Sequence, residues 1–314
     1  TDNSNSNSNS NTQHTTHTHT HRHTYTGTYS NLLYTRQQIQ TTNTEPTPQP
    51  GHQHIAPMFN FWTNTCNAMS PATPNPVRTT TITVSVDDII HHQKFLLAAN
   101  QGLPGHGKTI SKASVWRYQH CWLPLVARHG NQASLIPPLD VAWIWHVHRL
   151  APLLYAEYCN KNFGKVLNAH TPFLAQNMHT DRANAEKTQR LWEQHNPGTP
   201  MCFDPLVHGV MSFDSNDQDF VLGRYNVAEA CSRQQKFLTS VSTPLFTSHE
   251  FLTHAIKQYC QFLLVCRTGD VMVPSVPIDL VWHTHQLLSS TNYIAETTSM
   301  LGYALISNDN LEQE

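Results

Sequence analysis

Residues 276–287, VPIDLVWHTHQL, place a tryptophan and two histidines inside an apolar run, and residues 137–150, PPLDVAWIWHVHRL, repeat this pattern. In both stretches a proline and an aspartate precede a hydrophobic run, a Trp-His-x-His motif (WHxH below) and a leucine. The motif residues are Trp145, His146 and His148 in one stretch and Trp282, His283 and His285 in the other. The doubled motif indicates either a doubled site or a doubled element of the fold.

The similarity between the two stretches extends towards the N-terminus. QKFL occurs at residues 93–96 and again at 235–238. HCWLPLVARHG at 120–130 aligns with YCQFLLVCRTG at 259–269, which places Cys121 over Cys260. Self-similarity of this kind is the signature of tandem repeats. We therefore expect a duplicated unit, with a first WHxH repeat over residues 81–160, an inter-repeat region over 161–225 and a second WHxH repeat over 226–307.

Each repeat is predicted to contain three helices. The first helices cover 86–100 and 226–238, the second cover 111–130 and 248–269, and the third carry the WHxH motifs. Asn226 is a candidate cap, the second helices begin at serine and end at glycine, and prolines precede both motifs. One further helix is predicted before Pro197 and Gly198. The fold class is therefore mainly α, with tandem duplicated three-helix units packed as one helical domain.

The first 80 residues have a different composition, dominated by Thr, Asn, Ser, His, Gln and Pro. They offer too little apolar surface to offset the loss of chain entropy on folding, so we expect a disordered tail. Within the tail, residues 14–23 alternate histidine with threonine, which permits weak incidental binding of a transition metal. Residues 79–86 are β-branched and predict a short extended lead-in to the first helix.

Charge and cysteine content narrow the classes of partner. A net charge of −2 and a pI near 6.9 give no basic footprint for nucleic acid. The seven cysteines are scattered and form no CxxC pair, which favours free thiols in a reducing compartment over disulfides or a cysteine-type zinc site. No apolar run reaches the roughly 18 residues of a membrane helix. We expect a cytoplasmic or nuclear protein with a protein partner and no membrane association.

The spacing within WHxH limits what the histidines can bind. Residues two apart on a helix point about 200° apart, so His283 and His285 cannot bind one metal from one helix face. One histidine of each motif is expected to face inward and the other outward or sideways. If the pseudo-twofold of the repeat brings His146 and His283 together, with Asp140 or Asp279 as third ligand, zinc or non-haem iron would fit. Alternatively, each Trp and His packs in the helical interface, or the aromatic and histidine side chains form a ligand-binding pocket.

Two further motif matches are discounted. Residues 102–109, GLPGHGKT, fit the phosphate-binding pattern GxxxxGK[ST], but a helix precedes them where that loop requires a strand. An ATPase acting through Lys108 is therefore a weak alternative, and a helix-to-helix turn is favoured. HEFLTH at 249–254 spaces its histidines five apart, which turns them away from the shared face of a zincin motif.

The two WHxH blocks, with WRYQHCWLPLVARH before the first and RLWEQHNPGTP between them, closely resemble the glycine-rich domain-containing proteins of plants. The resemblance covers about residues 85–305. It implies roles in stress and hormone responses and in development, with no established catalytic activity for the shared domain. RNA binding is not implied, because aromatic RNP motifs are missing. Val147 stands where that family often has Cys, and Pro277 where it often has a second Asp.

Two hypotheses follow from the sequence. The first is a non-enzymatic helical interaction or regulatory module whose WHxH helices form its central interface. The second is a metal-dependent enzyme, using iron or zinc, with ligands drawn from both repeats. The candidate functional or interface residues are Asp140, Trp145, His146, His148, Asp279, Trp282, His283 and His285, and the candidate metal ligands are His146, His283 and Asp279.

Overall fold

A computed structural model of the chain describes residues 65–66, 80–130, 134–168, 178–202, 218–267 and 272–306. These residues are mainly α-helical, which confirms the predicted class, and the strands among them are two residues long. They belong to one compact unit, Pro57–Glu314. The predicted disordered tail lies outside the described residues except at 65–66 and 80, and the histidine-rich run at 14–23 lies wholly outside them.

Residues 86–168, called the first subdomain here, contain five helices and two irregular turns. Its helices are α1 Val86–Gly102, α2 Lys112–Arg117, α3 Leu123–His129, α4 Leu139–Arg149 and α5 Pro152–Phe163. A 3-10 turn, Pro104–Gly107, follows α1, and a π turn, Tyr118–Trp122, joins α2 to α3. The first WHxH motif lies on α4.

Residues 227–306, called the second subdomain, repeat this order with one continuous helix in place of α2 and α3. Its helices are α7 Val227–Ser240, α8 His249–Cys266, α9 Val276–Leu288 and α10 Ser290–Leu301. A 3-10 turn, Pro244–Thr247, precedes α8, and the second WHxH motif lies on α9.

Shorter elements surround the two subdomains. The strands β1 Thr65–Cys66 and β2 Thr80–Thr81 pair antiparallel and form the extended lead-in. Between the subdomains lie helix α6 Met178–His195, a 3-10 turn Gln218–Phe220 and the antiparallel strands β3 Val221–Leu222 and β4 Tyr225–Asn226. Helix α6 ends as predicted, before Pro197 and Gly198.

The predicted caps set the helix starts. The side chain of Asn226 accepts from the amides of Ala228 and Glu229, at 3.1 and 3.2 Å. The hydroxyls of Ser111 and Ser248 cap α2 and α8 in the same way. Helix α1 begins with a reciprocal capping box between Ser85 and Asp88, since each side chain bonds the other residue's amide. Gly130 stands at the predicted C-cap of α3 with right-handed φ, and residue 269 lies outside the described residues.

Each subdomain has a helix that the three-helix prediction omitted. Helices α5 and α10 follow the WHxH helices almost directly, which hides the breaks in the hydrophobic pattern. Pro152 lies in the first turn of α5, and the Ser289 hydroxyl caps α10 by accepting from Asn292 N–H at 3.3 Å. Both helices end at a left-handed glycine, Gly164 with φ 69° and Gly302 with φ 89°. Helix α5 also crosses the predicted repeat boundary at residue 160.

The π turn is tied to a proline. Pro124 lies just after the π turn Tyr118–Trp122 and has no amide hydrogen to donate to the preceding turn of helix. The π turn shifts the backbone hydrogen bonds at this point, which accommodates the proline within the helix. A π turn adds one residue relative to a regular α-helix. Helix α8 contains no proline and runs without a π turn.

One hydrophobic core runs through both subdomains. Its buried side chains include Ile89, Trp143 and Cys231 together with Leu263 and Trp282. Helix α1 packs against α4, α7, α8 and α9, while α4 contacts α9 and α5 contacts α10. The two WHxH helices therefore lie in the middle of the molecule. Among the described residues, no helix combines the length and apolar character needed to cross a membrane.

Candidate functional site

The four motif histidines are all buried. The exposed fractions are 5% for His146, 0% for His148, 8% for His283 and 2% for His285. One histidine of each motif was expected to face inward and the other outward or sideways, and none of the four faces solvent, because several helices pack against α4 and α9. The 200° separation between the two histidines sends them into two different buried environments.

The second histidine of each motif has the same tyrosine neighbours in both subdomains. The Tyr118 hydroxyl lies 2.9 Å from His148 Nδ1, and the Tyr259 hydroxyl lies 3.0 Å from His285 Nδ1. A second tyrosine meets each imidazole edge-on at 5.0 Å between ring centroids, Tyr155 at 87° and Tyr293 at 83°. The two imidazoles therefore lie in matching aromatic frames.

The motif tryptophans extend this match. Trp145 Nε1 donates to the Tyr155 hydroxyl at 2.9 Å, and that hydroxyl donates to the carbonyl of Leu167. In the second subdomain Trp282 Nε1 donates to the Tyr293 hydroxyl at 2.6 Å. That hydroxyl donates in turn to the carbonyl of Leu305, again at 2.6 Å. Each chain of bonds ties a WHxH helix to the next helix and to the segment after it.

These contacts shift the sequence alignment of the second helices. The residues that contact the motif are Tyr118 and Trp122 in one subdomain and Tyr259 and Phe262 in the other. Tyr118 and Tyr259 are therefore equivalent, and the pairing of Cys121 with Cys260 was wrong. The π turn adds one residue between Tyr118 and Trp122, which accounts for one of the two residues by which the alignment shifts at Tyr118.

The matching frames surround different chemistry at the other imidazole nitrogen. His285 Nε2 lies 2.8 Å from Glu296 Oε2. Glu296 follows Tyr293 by three residues, and the residue three after Tyr155 is Tyr158, whose ring meets His148 edge-on. His148 Nε2 is buried without a hydrogen-bond partner among the described residues. Burial lowers the pKa of His148 to about 3, so this imidazole is neutral at physiological pH.

His285 also lines a cleft, and His148 is not among the residues that line it. The cleft has a volume of about 260 Å³. Its lining residues are Thr83, Asp88, His285, Leu288, Ser289, Asn292 and Tyr293. The Thr83 hydroxyl donates to the other oxygen of Glu296 at 3.2 Å. Both nitrogens of His285 have partners within the protein, the Tyr259 hydroxyl at Nδ1 and the Glu296 carboxylate at Nε2.

The first histidine of each motif packs on the phenylalanine of QKFL. The ring centroids are 5.2 Å apart for Phe95 and His146, and 4.7 Å apart for Phe237 and His283. This contact agrees with the QKFL alignment. Beyond it the two environments differ, because His283 Nε2 lies 3.3 Å from Asp279 Oδ1 while His146 faces another histidine.

His92, on α1, links the two WHxH helices. Thr284 donates its hydroxyl hydrogen to the Leu280 carbonyl at 2.7 Å, so it accepts from His92 Nδ1–H at 2.9 Å. His92 Nε2 is then the acceptor for Nε2–H of His146, also at 2.9 Å. This assignment leaves His146 Nδ1 without a hydrogen, which suits its lack of a hydrogen-bond partner among the described residues.

The protonation states agree with this chain of bonds. Burial, followed by the nearby His283 and Arg149, lowers the pKa of His92 well below its ordinary value. Burial lowers the pKa of His146 in the same way, with smaller contributions from His92, His283 and Arg149. Both imidazoles are therefore neutral, and each can donate at one nitrogen and accept at the other.

The C-terminal ends of the WHxH helices also contact each other. Arg149 is 1% exposed and donates through Nη2 to the carbonyl of Leu287, and its guanidinium carbon lies 5.4 Å from the centre of the Trp145 ring. Leu150 and Leu287 pack together beside it. Burial lowers the pKa of Arg149. This contact joins the two subdomains through the last turn of each motif helix.

The two candidate aspartates do not play matching roles. Asp140 pairs with the guanidinium of Arg117 and accepts from the Ser114 hydroxyl, whereas Asp279 lies beside His283. Asp140 therefore anchors α4 to α2 and is not a second partner for the motif histidines. Within the described ranges, no group of three or more His, Cys, Asp or Glu side chains is arranged to hold a metal ion.

The two discounted motifs have structural roles. The glycine-rich stretch forms the turn after α1, with positive φ at Gly105, His106 and Gly107, and Trp143 Nε1 donates to the Gly107 carbonyl at 2.8 Å. Lys108 is exposed beside this turn. HEFLTH forms the start of α8, where its two histidines are exposed.

Sequence reasoning missed several residues of the network. The missed residues are His92, Tyr118, Arg149, Tyr155, Tyr259, Thr284, Tyr293 and Glu296. A signal existed for Tyr155 and Tyr293, since both follow their motifs at nearly equal distance and each opens a similar helix. No such signal existed for His92, because the residue before the second QKFL segment is Gln234 and the histidine is therefore not repeated.

Comparison with known proteins places the chain among similar sequences. Residues 154–295 match the family described as glycine-rich domain-containing protein-like. The chain is 31% identical over 217 residues to Glycine-rich domain-containing protein 1 of Arabidopsis thaliana, which covers 65% of this chain and 26% of that protein. It is 29% identical over 242 residues to Glycine-rich domain-containing protein 2 of the same plant, which covers 73% of this chain and 30% of that protein. The chain thus spans less than a third of either relative's length. No solved structure matches it.

Proposed function

The chain belongs to the glycine-rich domain-containing protein-like family, and from this premise we propose that its helical domain is a non-enzymatic interaction and regulatory module. The WHxH helices form its central interface. The burial of all four motif histidines is the observation that carries this proposal. Histidines that act on a substrate need a ring nitrogen within reach of it, whereas His146, His148 and His283 are buried away from the cleft and His285, which borders it, has both nitrogens bonded to Tyr259 and Glu296.

A tandem duplication is part of the proposal. It is supported by the matching Tyr–His contacts, by the matching Trp–Tyr–carbonyl chains and by the matching contacts of Phe95 and Phe237. In this interpretation the two copies meet at α4 and α9, and His92 and Arg149 hold them together. A rigid fused pair of units offers its outer surfaces to partners.

The metal-dependent alternative receives no support from the ligand geometry. His146 Nε2 faces His92, His283 lies beside Asp279, and the described part of the chain contains no three-ligand arrangement. The ATPase alternative is likewise not favoured, because Lys108 follows a turn between two helices where a phosphate-binding loop must follow a strand.

We further propose that the module acts in the cytosol or nucleus on a protein partner, in stress or developmental signalling. The free thiols among the described residues suit a reducing compartment. The near-neutral net charge gives no support for binding to nucleic acid.

The test is a comparison between partner binding and turnover. The full chain is crosslinked in its native cells, the crosslinked partner is purified, and direct binding to the purified chain is measured by calorimetry. We expect a stoichiometric complex and no turnover when the partner-free chain is screened against small-molecule substrates. A partner-free protein that turns over a substrate, and loses that turnover in a His283→Gln variant that still folds, would overturn the proposal.

A further inference from the structure

An apolar pair precedes the WHxH helix in each subdomain. When the two WHxH motifs are aligned without gaps, Leu135 and Ile136 of the first subdomain align with Met272 and Val273 of the second. Both pairs are followed by proline, which fixes the direction in which the chain enters the helix. The two pairs therefore occupy equivalent positions relative to their motifs.

In the first subdomain helix α6 covers this pair. Leu135 and Ile136 are only 5% and 6% exposed. The Ile136 amide donates to the Thr188 hydroxyl of α6 at 3.0 Å, and α6 packs on α3. Trp192, one turn further along α6, is fully buried. The covering helix thus contributes both apolar area and an acceptor for an amide that would otherwise be buried without a partner.

In the second subdomain the equivalent pair is open. Met272 is 45% exposed and Val273 is 88% exposed. Tyr303 lies at the same end of the subdomain, since its hydroxyl donates to the Cys266 carbonyl in the last turn of α8 at 2.6 Å, and it is 41% exposed. These three residues are called the open face below.

We propose that the open face binds an amphipathic helix of a partner protein, in the position that α6 occupies on the first subdomain. The proposal rests on the proposed interaction function and names its docking surface. The first subdomain supplies the template, because it shows the same apolar pair buried by a helix. An apolar pair and an aromatic ring at the end of a rigid unit are the kind of anchor that a helix face recognises.

The pattern on α6 indicates the chemistry of the partner helix. Thr188 faces the Ile136 amide, Trp192 follows four residues later, and His195 follows seven residues after Thr188 and lies 2.8 Å from Arg128. These positions share one face of a helix. The partner helix should therefore carry a hydroxyl residue and, four residues later, an aromatic residue on the same face.

A peptide with the α6 pattern is the probe for this surface. A labelled synthetic peptide of residues 178–202 is titrated with the full chain, and binding is followed by fluorescence anisotropy. The variants of the chain are Val273→Asp and, as matched control, Leu245→Asp, since Leu245 is also an exposed apolar residue at 52%. Both side chains are exposed, so both variants should retain the fold, which circular dichroism checks.

We expect saturable binding that weakens roughly tenfold or more in Val273→Asp and is unchanged in Leu245→Asp. A peptide with Trp192→Ala should bind correspondingly less. Absence of binding by the unmodified chain, or binding that survives Val273→Asp, would overturn the proposal. A dimer seen by sedimentation and lost in Val273→Asp would assign the face to a second copy of this chain and would overturn it as well.

The outcome is separable from that of the proposed function. A crosslinked partner that binds Val273→Asp as tightly as the unmodified chain would retain the interaction function and reject this surface. Substrate turnover by the partner-free chain would reject the interaction function, whatever the peptide shows.

Discussion

His148 and His285 occupy the same place in two matching frames, yet their surroundings differ. Each has a tyrosine hydroxyl at Nδ1 and a second tyrosine edge-on at 5.0 Å. His148 is then enclosed by aromatic rings, whereas His285 pairs with Glu296 and borders a cleft. Much of the difference arises at one equivalent position, which is Tyr158 in the first subdomain and Glu296 in the second.

The comparison separates what holds the fold from what can vary within it. The Trp–Tyr–carbonyl chain is present in both subdomains and connects three consecutive segments. The partner of the histidine Nε2 atom differs without a change in that chain. The frame is therefore structural, and the histidine is a position at which the two subdomains can acquire different electrostatic properties.

The largest expected effect is on the frame itself. Trp145→Ala and Trp282→Ala each remove a buried indole, at 6% and 5% exposure, and break a hydrogen bond to a tyrosine. We expect each to lower the free energy of unfolding by about 3 to 5 kcal/mol. Chemical denaturation measures both. A large loss for one variant with almost none for the other would show that the two frames are not equivalent.

The next effect lies at the middle residue of each motif, Val147 in the first and Thr284 in the second. Thr284→Val leaves the buried His92 Nδ1–H without its acceptor and should cost about 1 to 3 kcal/mol. Val147→Ala is the matched variant, since Val147 is fully buried and its side chain makes no hydrogen bond. A calorimetric melt measures the losses. Thr284→Val as stable as the unmodified chain would mean that the link through His92 contributes nothing.

The enclosed His148 should give stability a pH dependence. Its pKa is about 3 in the folded chain against 6.5 for an unperturbed histidine, so between these values the unfolded chain binds one more proton. The free energy of unfolding should therefore fall as pH decreases from 6.5 towards 3, by about 1.4 kcal/mol per pH unit from this residue.

The measurement is the slope of the unfolding free energy between pH 6.5 and 5. His148→Gln should reduce that slope, while Leu150→Ala, which destabilises without removing a titrating group, should leave it unchanged. Equal slopes for His148→Gln and the unmodified chain would contradict the assignment of a neutral, enclosed imidazole.

The smallest expected effect concerns the residue that distinguishes the two frames. Glu296→Gln keeps an acceptor for His285 but removes its charge, so we expect a loss of about 1 kcal/mol. Tyr158→Phe, at the equivalent position, loses only a long contact to Gln119 at 3.4 Å and should cost below about 0.5 kcal/mol. Thermal denaturation at neutral pH compares them. A larger cost for Tyr158→Phe would reverse the proposed difference between the two environments.

The sequence predicted the helical class because hydrophobic spacing, serine and asparagine caps and prolines all act locally. Asn226 and Ser248 stand where such caps were expected. The register of the second helix was wrong in part because of the π turn, since an added residue inside a helix leaves no mark in a letter-by-letter alignment. Local rules therefore predicted the helices but not their internal geometry.

The candidate site was predicted only in part. The WHxH residues were identified because they stand out in an apolar run, but their burial on all sides depends on helices distant in sequence. His92 contacts Thr284 across most of the chain, and no pattern in a single sequence reveals such a pair. The role of Asp140 was misjudged for the same reason, since its partners Arg117 and Ser114 lie on another helix.

We conclude that the WHxH helices join the two subdomains through the buried, neutral His92 and His146. A double-mutant cycle between His92→Leu and Thr284→Val tests it most directly, with stability measured by denaturant unfolding at neutral pH. The two side chains act across the interface, so we predict a coupling free energy of about 1 kcal/mol or more and a single cooperative transition. Losses that add to within about 0.5 kcal/mol would contradict the claim.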